Sequence, residues 1–370
     1  MPENTLLDAE ERLEPYVEAW DRLAVACGRP LATPGWMLSW WRSAAPEGAL
    51  LRTAVVEDGG ELIGIAPFYC EPEGRRDYRL LAPGLSQRIE PLALPGREEE
   101  VAHGIGLALR DAEPRPPLLS LEGIPASSPW PGLLKRRMGG PLGAARFQTA
   151  VQDAPVVTLA GMDFDGWLAS KSSNFRSQMK RARRKVEKEG GVIRMSDAEH
   201  VDADIAALFR LHEGRWEGRG ESAILGLEEM LRGAAAALLD SGRFRLWVIE
   251  FEGKAVSAQL FMAAGGEVAY WNGGFDEEWA RYKPAMVAIF AALEHAFAQG
   301  DDRLDLGGGA QDYKLRFADA VDPLQWGGLI PRGARWPLTR AQLAPEVLRG
   351  LALRSLSKER RQKLKRLIRR

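Results

Sequence analysis

Residues 267–317 read EVAYWNGGFDEEWARYKPAMVAIFAALEHAFAQGDDRLDLGGGAQDYKLRF. Residues 268–275 are rich in β-formers and aromatics and predict a strand. A helix begins near Pro284 to Met286, because proline suits a first helical turn. Met286, Ile289, Phe290, Leu293 and Phe297 keep helical spacing, and Gly300 is a natural stop. Residues 303–306 predict a second strand, followed by a glycine turn and a helix that carries Tyr313. Between the first strand and its helix, Arg281, Tyr282, Lys283, Pro284, Ala285 and Met286 put two cations beside the unpaired N–H groups of a helix start. That combination suits a phosphate or pyrophosphate; the plain alternative is a connection with two solvated charges.

Outward from this stretch the sequence repeats itself. A hairpin at 246–251 and 254–262, turning at Glu252-Gly253, matches one at 51–57 and 61–69 that turns at Asp58-Gly59-Gly60. The offset is 193 residues without a gap: Val55, Val56, Glu57, Gly60, Ile63 and Phe68 fall opposite Val248, Ile249, Glu250, Gly253, Val256 and Phe261. A duplicated unit follows. The first copy lacks a basic, proline-capped helix start, so it reads as structural or substrate-facing.

Other segments extend the picture. Residues 5–27 predict an amphipathic surface helix, and 36–43 a short aromatic one whose tryptophans suit a core or a ligand groove. Residues 118–121 predict a strand, 125–131 a loop and 324–330 a final strand. Residues 164–190 predict one helix with an apolar stripe of Leu168, Phe175, Met179, Ala182 and Val186. Arg176, Lys180, Arg181, Arg183, Arg184, Lys185 and Lys188 surround it, a positive face suited to CoA phosphate, an anionic glycan or lipid, or RNA, or else a solvated helix. A further helix carries His212 and Trp216. His212 is a candidate proton carrier, a polar part of a substrate pocket, or a packed core histidine. From Arg354 onward nine Lys and Arg face one Glu on an amphipathic tail, which suits peripheral contact with an anionic membrane or a solvated terminal helix.

Composition sets the outer limits. The chain has 370 residues, 45% hydrophobic and 27% charged, with a net charge of −1, so any affinity for nucleic acid or membrane is local. Two cysteines and four histidines make neither a disulfide framework nor a zinc spacing, so no metal is expected and a reduced cytoplasm is the simplest location. The first residues are unlike a signal peptide, and no apolar run is long enough to span a membrane.

The strand, helix, strand and tyrosine-bearing helix of 267–317 resemble the acyl-CoA core of the GNAT acyltransferases. More narrowly, the chain is similar to the CelD/BcsL family of acetyltransferases, relatives of the Fem-type peptidoglycan aminoacyltransferases. The matching stretches are WMLSWW (36–41), IAPF (65–68), NFRSQMKRARRKVEKEGG (174–191), LHEGRW (211–216), GGFDEEWARYKPAM (273–286) and DLGGGAQDYKLRF (305–317). The resemblance implies an α/β (α+β) fold of two GNAT-like mixed sheets flanked by helices. Its parts would be an N-terminal half (1–160), a C-terminal acyltransferase half (161–335) and a basic tail (336–370).

It also implies direct acyl transfer from acetyl-CoA or another acyl-CoA to an amine, with no protein nucleophile; no GxSxG elbow is present. The acceptor would be a small molecule, an amino sugar or a glycan precursor. Residues 281–286 would hold the CoA pyrophosphate. Tyr313 would be the general acid near the leaving sulfur, with core packing as its alternative. From the residues themselves, Asp305 and Asp312 are candidates to receive or orient the amine, Glu250 is a weaker base candidate, and His212 is a candidate proton carrier. Arg176, Lys180, Trp216 and Lys314 are the candidate substrate contacts. A Fem-like transferase using aminoacyl-tRNA and a non-catalytic scaffold remain as alternatives. Two positions depart from the family pattern: Ala285 stands where a glycine is usual, and Gly308 where an arginine is frequent.

Overall fold

A computed structural model describes residues 2–138, 143–216, 224–309 and 311–355, with backbone alone for 215, 216 and 353–355. The basic run from 356 onward lies outside the described residues. The first sheet takes β1 (Glu3–Leu7), β2 (Leu50–Asp58), β3 (Glu61–Cys70), β4 (Tyr78–Leu80), β5 (Leu92–Ala93), β6 (Leu119–Pro125) and β7 (Ala144–Gln152). The second takes β8 (Pro155–Thr158), β9 (Val192–Met195), β10 (Phe244–Phe251), β11 (Lys254–Ala264), β12 (Glu267–Phe275), β13 (Arg303–Asp305) and β14 (Ala320–Val321). The last strand, β15 (Leu324–Pro331), returns to the first sheet.

Strand order is β1-β2-β3-β4-β6-β15-β7 in the first sheet, with β5 beside β3, and β14-β8-β13-β12-β11-β10-β9 in the second. Each sheet is antiparallel except for one parallel pair, β4 with β6 and β12 with β13. The chain is therefore an α/β fold of two mixed sheets flanked by helices, as expected. The repeat read from the sequence is physical. The β2–β3 ladder slips at Val56/Glu57 and the β10–β11 ladder at Ile249/Glu250, the same offset of 193 residues apart. A bulge kept at one position in both copies gives both hairpins the same local twist.

The helices are α1 (Val17–Ala26), α2 (Pro34–Ala44), α3 (Glu98–Arg110), α4 (Trp130–Arg137), α5 (Phe164–Ser170) and α6 (Ser173–Lys188). They continue with α7 (Val201–Trp216), α8 (Glu228–Leu238), α9 (Pro284–Gln299), α10 (Asp312–Phe317) and α11 (Trp336–Ser355). One core joins both halves through α2 packed on α8. The helices meet at Gly35 and Gly233, where a Cβ would come within 2.9 Å of Leu238 and of Ser39 respectively. A second core packs α5, α6 and α9 on the other face of the second sheet.

Four expectations are corrected. The division at 160 does not coincide with the sheets, because β8 pairs with β13 and β14 while β15 inserts between β6 and β7. Residues 5–27 are a strand, a 3-10 turn and then α1; Pro15 breaks the helical pattern, and Glu3–Leu7 pair with β2. The expected loop at 125–131 runs into α4, where Pro131 sits in the first turn. The single helix at 164–190 is two, because the Ser172 hydroxyl accepts the Phe175 N–H and caps α6. Its apolar stripe is buried across both pieces.

Candidate active site

The parallel pair β12–β13 is short: Glu267 faces Arg303, Val268 faces Leu304 and Ala269 faces Asp305. Beyond Ala269 the strands separate. A cavity of about 100 Å³ sits in the gap, lined by Tyr270, Trp271, Asp305, Gly307 and Lys314 from the second half and by Gln87 from the first.

The first half supplies more than a wall. Trp36 of α2 is fully buried and donates its indole N–H to Ser86 Oγ at 2.8 Å; it meets Trp271 edge-on at 5.4 Å. Trp271 donates to the Leu85 carbonyl at 2.8 Å. These contacts hold a loop in which Arg88 takes a left-handed backbone conformation, φ +58°. A non-glycine residue there is strained and needs its surroundings to hold it. Arg88 Nε donates to Asp305, while its remaining nitrogens reach Asp322 Oδ2 at 2.7 Å and the Asp322 carbonyl at 3.0 Å. The other Asp305 oxygen accepts the Gly307 N–H at 2.7 Å. Gln87 Oε1 accepts the Gly308 N–H at 2.7 Å. The glycine turn is thus fixed from the opposite half.

Lys314 points into this assembly. It is buried, and its amine donates to the Gly308 carbonyl at 3.1 Å and, more weakly, to that of Gly307 at 3.4 Å. Burial pulls its pKa down to about 8, with Asp305 opposing the shift. Tyr270 donates to Gln259 Oε1 at 2.9 Å, and Gln259 Nε2 donates in turn to the Gly274 carbonyl, which fixes the phenol at the cavity edge.

The other sequence candidates are placed as follows. Both Asp305 oxygens are engaged, so its carboxylate orients the turn. Tyr313, next to Lys314 on α10, is half-buried against the second core and is not among the residues lining the cavity. His212 is buried on α7 behind β12, its Nδ1 3.4 Å from the Gly273 carbonyl. Gly274 allows that approach, since a Cβ there would come 2.6 Å from the His212 N atom. Arg176 donates to the carbonyls of Ala169 at 2.9 Å and Lys171 at 2.5 Å, closing the end of α5. Lys180 is exposed. The side chain of Trp216 lies outside the described residues.

The helix start at α9 has its own architecture. Asp276 caps a 3-10 turn, Glu277–Tyr282, by accepting the Glu278 N–H at 3.0 Å. Tyr282 is buried; it donates to Glu189, and its ring lies 5.0 Å from Phe251, with Lys185 over it. Arg281 is exposed, stacks on the same ring and donates to the Tyr282 hydroxyl at 3.0 Å. Lys283, left-handed at φ 54°, is the N-cap residue before Pro284. Its pKa is lowered by burial and by Arg316 of α10. Two cations converging on the first turn of α9, where Ala285 and Met286 follow the proline, form a setting that an anion relieves.

Arg88 and Gln87 carried no sequence signal beyond their place in a Pro- and Gly-rich loop. Gly308 has a structural reason: a Cβ there would meet Gln152 at 3.1 Å and Gln87 at 3.3 Å, so glutamine side chains fill the space an arginine would enter. Among the described residues no cluster of three metal-ligating side chains occurs.

Residues 173–315 match the family described as Acetyltransferase (GNAT) domain, which runs from α6 into α10 and takes in the second-half wall of the cavity and the α9 start. Among solved structures, the chain is similar to FemX, at 14% identity over 87% of this chain and 96% of that one, TM-score 0.61. It is also similar to L-PGS from Bacillus licheniformis, at 14% identity over 93% and 97%, TM-score 0.55. A third is a conserved protein of unknown function from Bacteroides thetaiotaomicron, at 9% identity over 88% and 99%, TM-score 0.56. At these identities the likeness is one of fold. No curated protein sequence matches the chain.

Proposed function

We propose that the protein is an N-acyltransferase that moves an acyl group, most simply acetyl, from acyl-CoA to an amine on a small molecule, amino sugar or glycan precursor. The observation that carries this reading is the split between β12 and β13 over a cavity walled by both halves, with the cationic start of α9 beyond the end of β12. Acyl-CoA supplies an acyl group activated as a thioester. Lys283 and Arg316 hold its phosphates beside the N–H groups of Ala285 and Met286. Protonated Lys314 polarises a carbonyl placed in the cavity, and the turn fixed by Asp305 and Gln87 keeps that amine in position. As the C–N bond forms and the C–S bond breaks, the nitrogen loses a proton and the sulfur gains one. Tyr313 is the candidate donor to sulfur, one residue from Lys314. The acceptor approaches from the first-half wall, at Gln87 and Leu85.

A second reading uses aminoacyl-tRNA as donor. It is favoured by the exposed cations Lys180, Arg181, Arg184 and Lys188 along α6.

Calorimetry with acetyl-CoA and desulfo-CoA tests the first reading. Wild type should bind saturably, and Lys283→Ala/Arg316→Ala should bind about tenfold or more weakly, as loss of charge-assisted contacts predicts. Absence of CoA binding together with salt-sensitive tRNA binding would overturn it in favour of the second.

A further inference from the structure

Helix α11 lies along β7 and β15 at the edge of the first sheet, held by buried Thr339, Leu343 and Gly350. Gly350 sets the approach, since a Cβ there would come 2.1 Å from the Thr149 carbonyl. The opposite side of the helix should then be polar, and it is not. Leu338 and Leu348 are the two most exposed large apolar side chains among the described residues, at 61% and 64%, and Leu351 is 52% exposed. Ala341, Ala344 and Pro345 are exposed between them. At the helical rotation per residue these six positions share one arc of about 140°. Arg340 and Arg349 border the arc, and Glu346 lies outside it.

The charge distribution points the same way. Residues 332–370 hold thirteen Lys and Arg against two Glu, whereas the remainder of the chain carries a net −12. An occupant of this face must be apolar across the arc and anionic at its borders and beyond. A protein groove can meet the first need over a few side chains; an extended surface that meets both is an anionic bilayer. No helix among the described residues is long and apolar enough to cross a membrane, so the contact is one of lying on the surface.

We propose that the outer face of α11 docks the protein on anionic lipid, Leu338, Leu348 and Leu351 entering the headgroup boundary and the flanking Arg340 and Arg349 meeting lipid phosphates. This goes beyond the acyl-transfer reading and stands apart from it.

The test is co-sedimentation of the full chain with vesicles of equimolar phosphatidylcholine and phosphatidylglycerol, and with phosphatidylcholine alone. Wild type should sediment with the anionic vesicles only. Leu338→Ser/Leu348→Ser/Leu351→Ser, on the solvent side of the helix, should bind them about tenfold or more weakly, because apolar burial and charge act together in such docking. No sedimentation of wild type, or equal sedimentation of the triple variant, overturns the proposal. Sedimentation velocity without lipid supplies the other decision: a dimer that the triple variant dissolves would assign the face to a second copy instead.

Discussion

Arg88, in the first half, and Asp305, at the end of β13 in the second, form a buried ion pair across the junction of the halves. Each is about 95% or more out of solvent; Arg88 also pairs with Asp322, but without Arg88 the Asp305 carboxylate would be buried with its ion-pair partner gone. Arg88→Met should cost about 3–5 kcal/mol in a denaturant titration, the range for breaking a buried pair by removing one partner. Arg88→Met/Asp305→Asn should cost clearly less than the sum of the singles. Additive losses would mean that the pair does not couple the halves.

Lys314 predicts the shape of a pH profile. Its ammonium persists in the fold only up to about pH 8, well below the ordinary lysine value of 10.5. If the charged form polarises the acyl carbonyl, kcat/KM should fall as pH rises through about 8. Lys314→Arg, which keeps its charge throughout, should be slower but lack that alkaline fall. An unchanged profile would separate Lys314 from the chemistry.

Glu267 gives a stability prediction of opposite character. It is buried at the start of β12, near Arg303, Asp305, Arg88 and Arg29, and burial raises its carboxyl to about 7. One of its oxygens, Oε1, has no hydrogen-bond partner. The protonated form is the one the fold favours, so its contribution is complete below the ordinary carboxyl range and lost as pH rises to 7 and beyond. Glu267→Gln should therefore reduce the fall in stability between about pH 4 and pH 8, by about 3 kcal/mol. Urea unfolding of both proteins across that range measures it.

Gln87 should behave as a positioning residue. Gln87→Ala removes the acceptor for the Gly308 N–H and should lower kcat by about tenfold, the scale of one hydrogen bond in a site that needs exact placement. The affinity for desulfo-CoA, held at the far end of the site, should stay unchanged. A parallel loss of both would indicate general disorder of the cleft.

The duplicated hairpins, the α9 helix with its proline start and glycine stop, and the short strand and helix after it were legible because each rests on local spacing. The α6 cap was equally local: Lys-Ser-Ser-Asn before an apolar residue is a capping signal, and the longer apolar stripe obscured it. Arg88 and Gln87 were not legible. Their roles depend on partners more than 200 residues away, and an arginine in a glycine-rich loop has no periodicity to mark it. Nor could LQWGGLI reveal which sheet it would join, since its alternation fits a slot in either. Tyr282 illustrates a mixed case: its place in the cationic stretch was plain, but not that its ring would be the buried anchor between Lys185 and Phe251.

The position of β15 bears on how the chain comes to be folded at all. It lies between β6 and β7, pairing Leu329 with both Leu119 and Arg146. During synthesis the first half emerges early, yet its sheet stays open between those two strands until residue 331 has been made. Its exposed β6 and β7 edges wait through the production of the entire second half. The half that emerges earlier is thus the half that is completed later, and the nascent chain has the most to gain from protection during that interval.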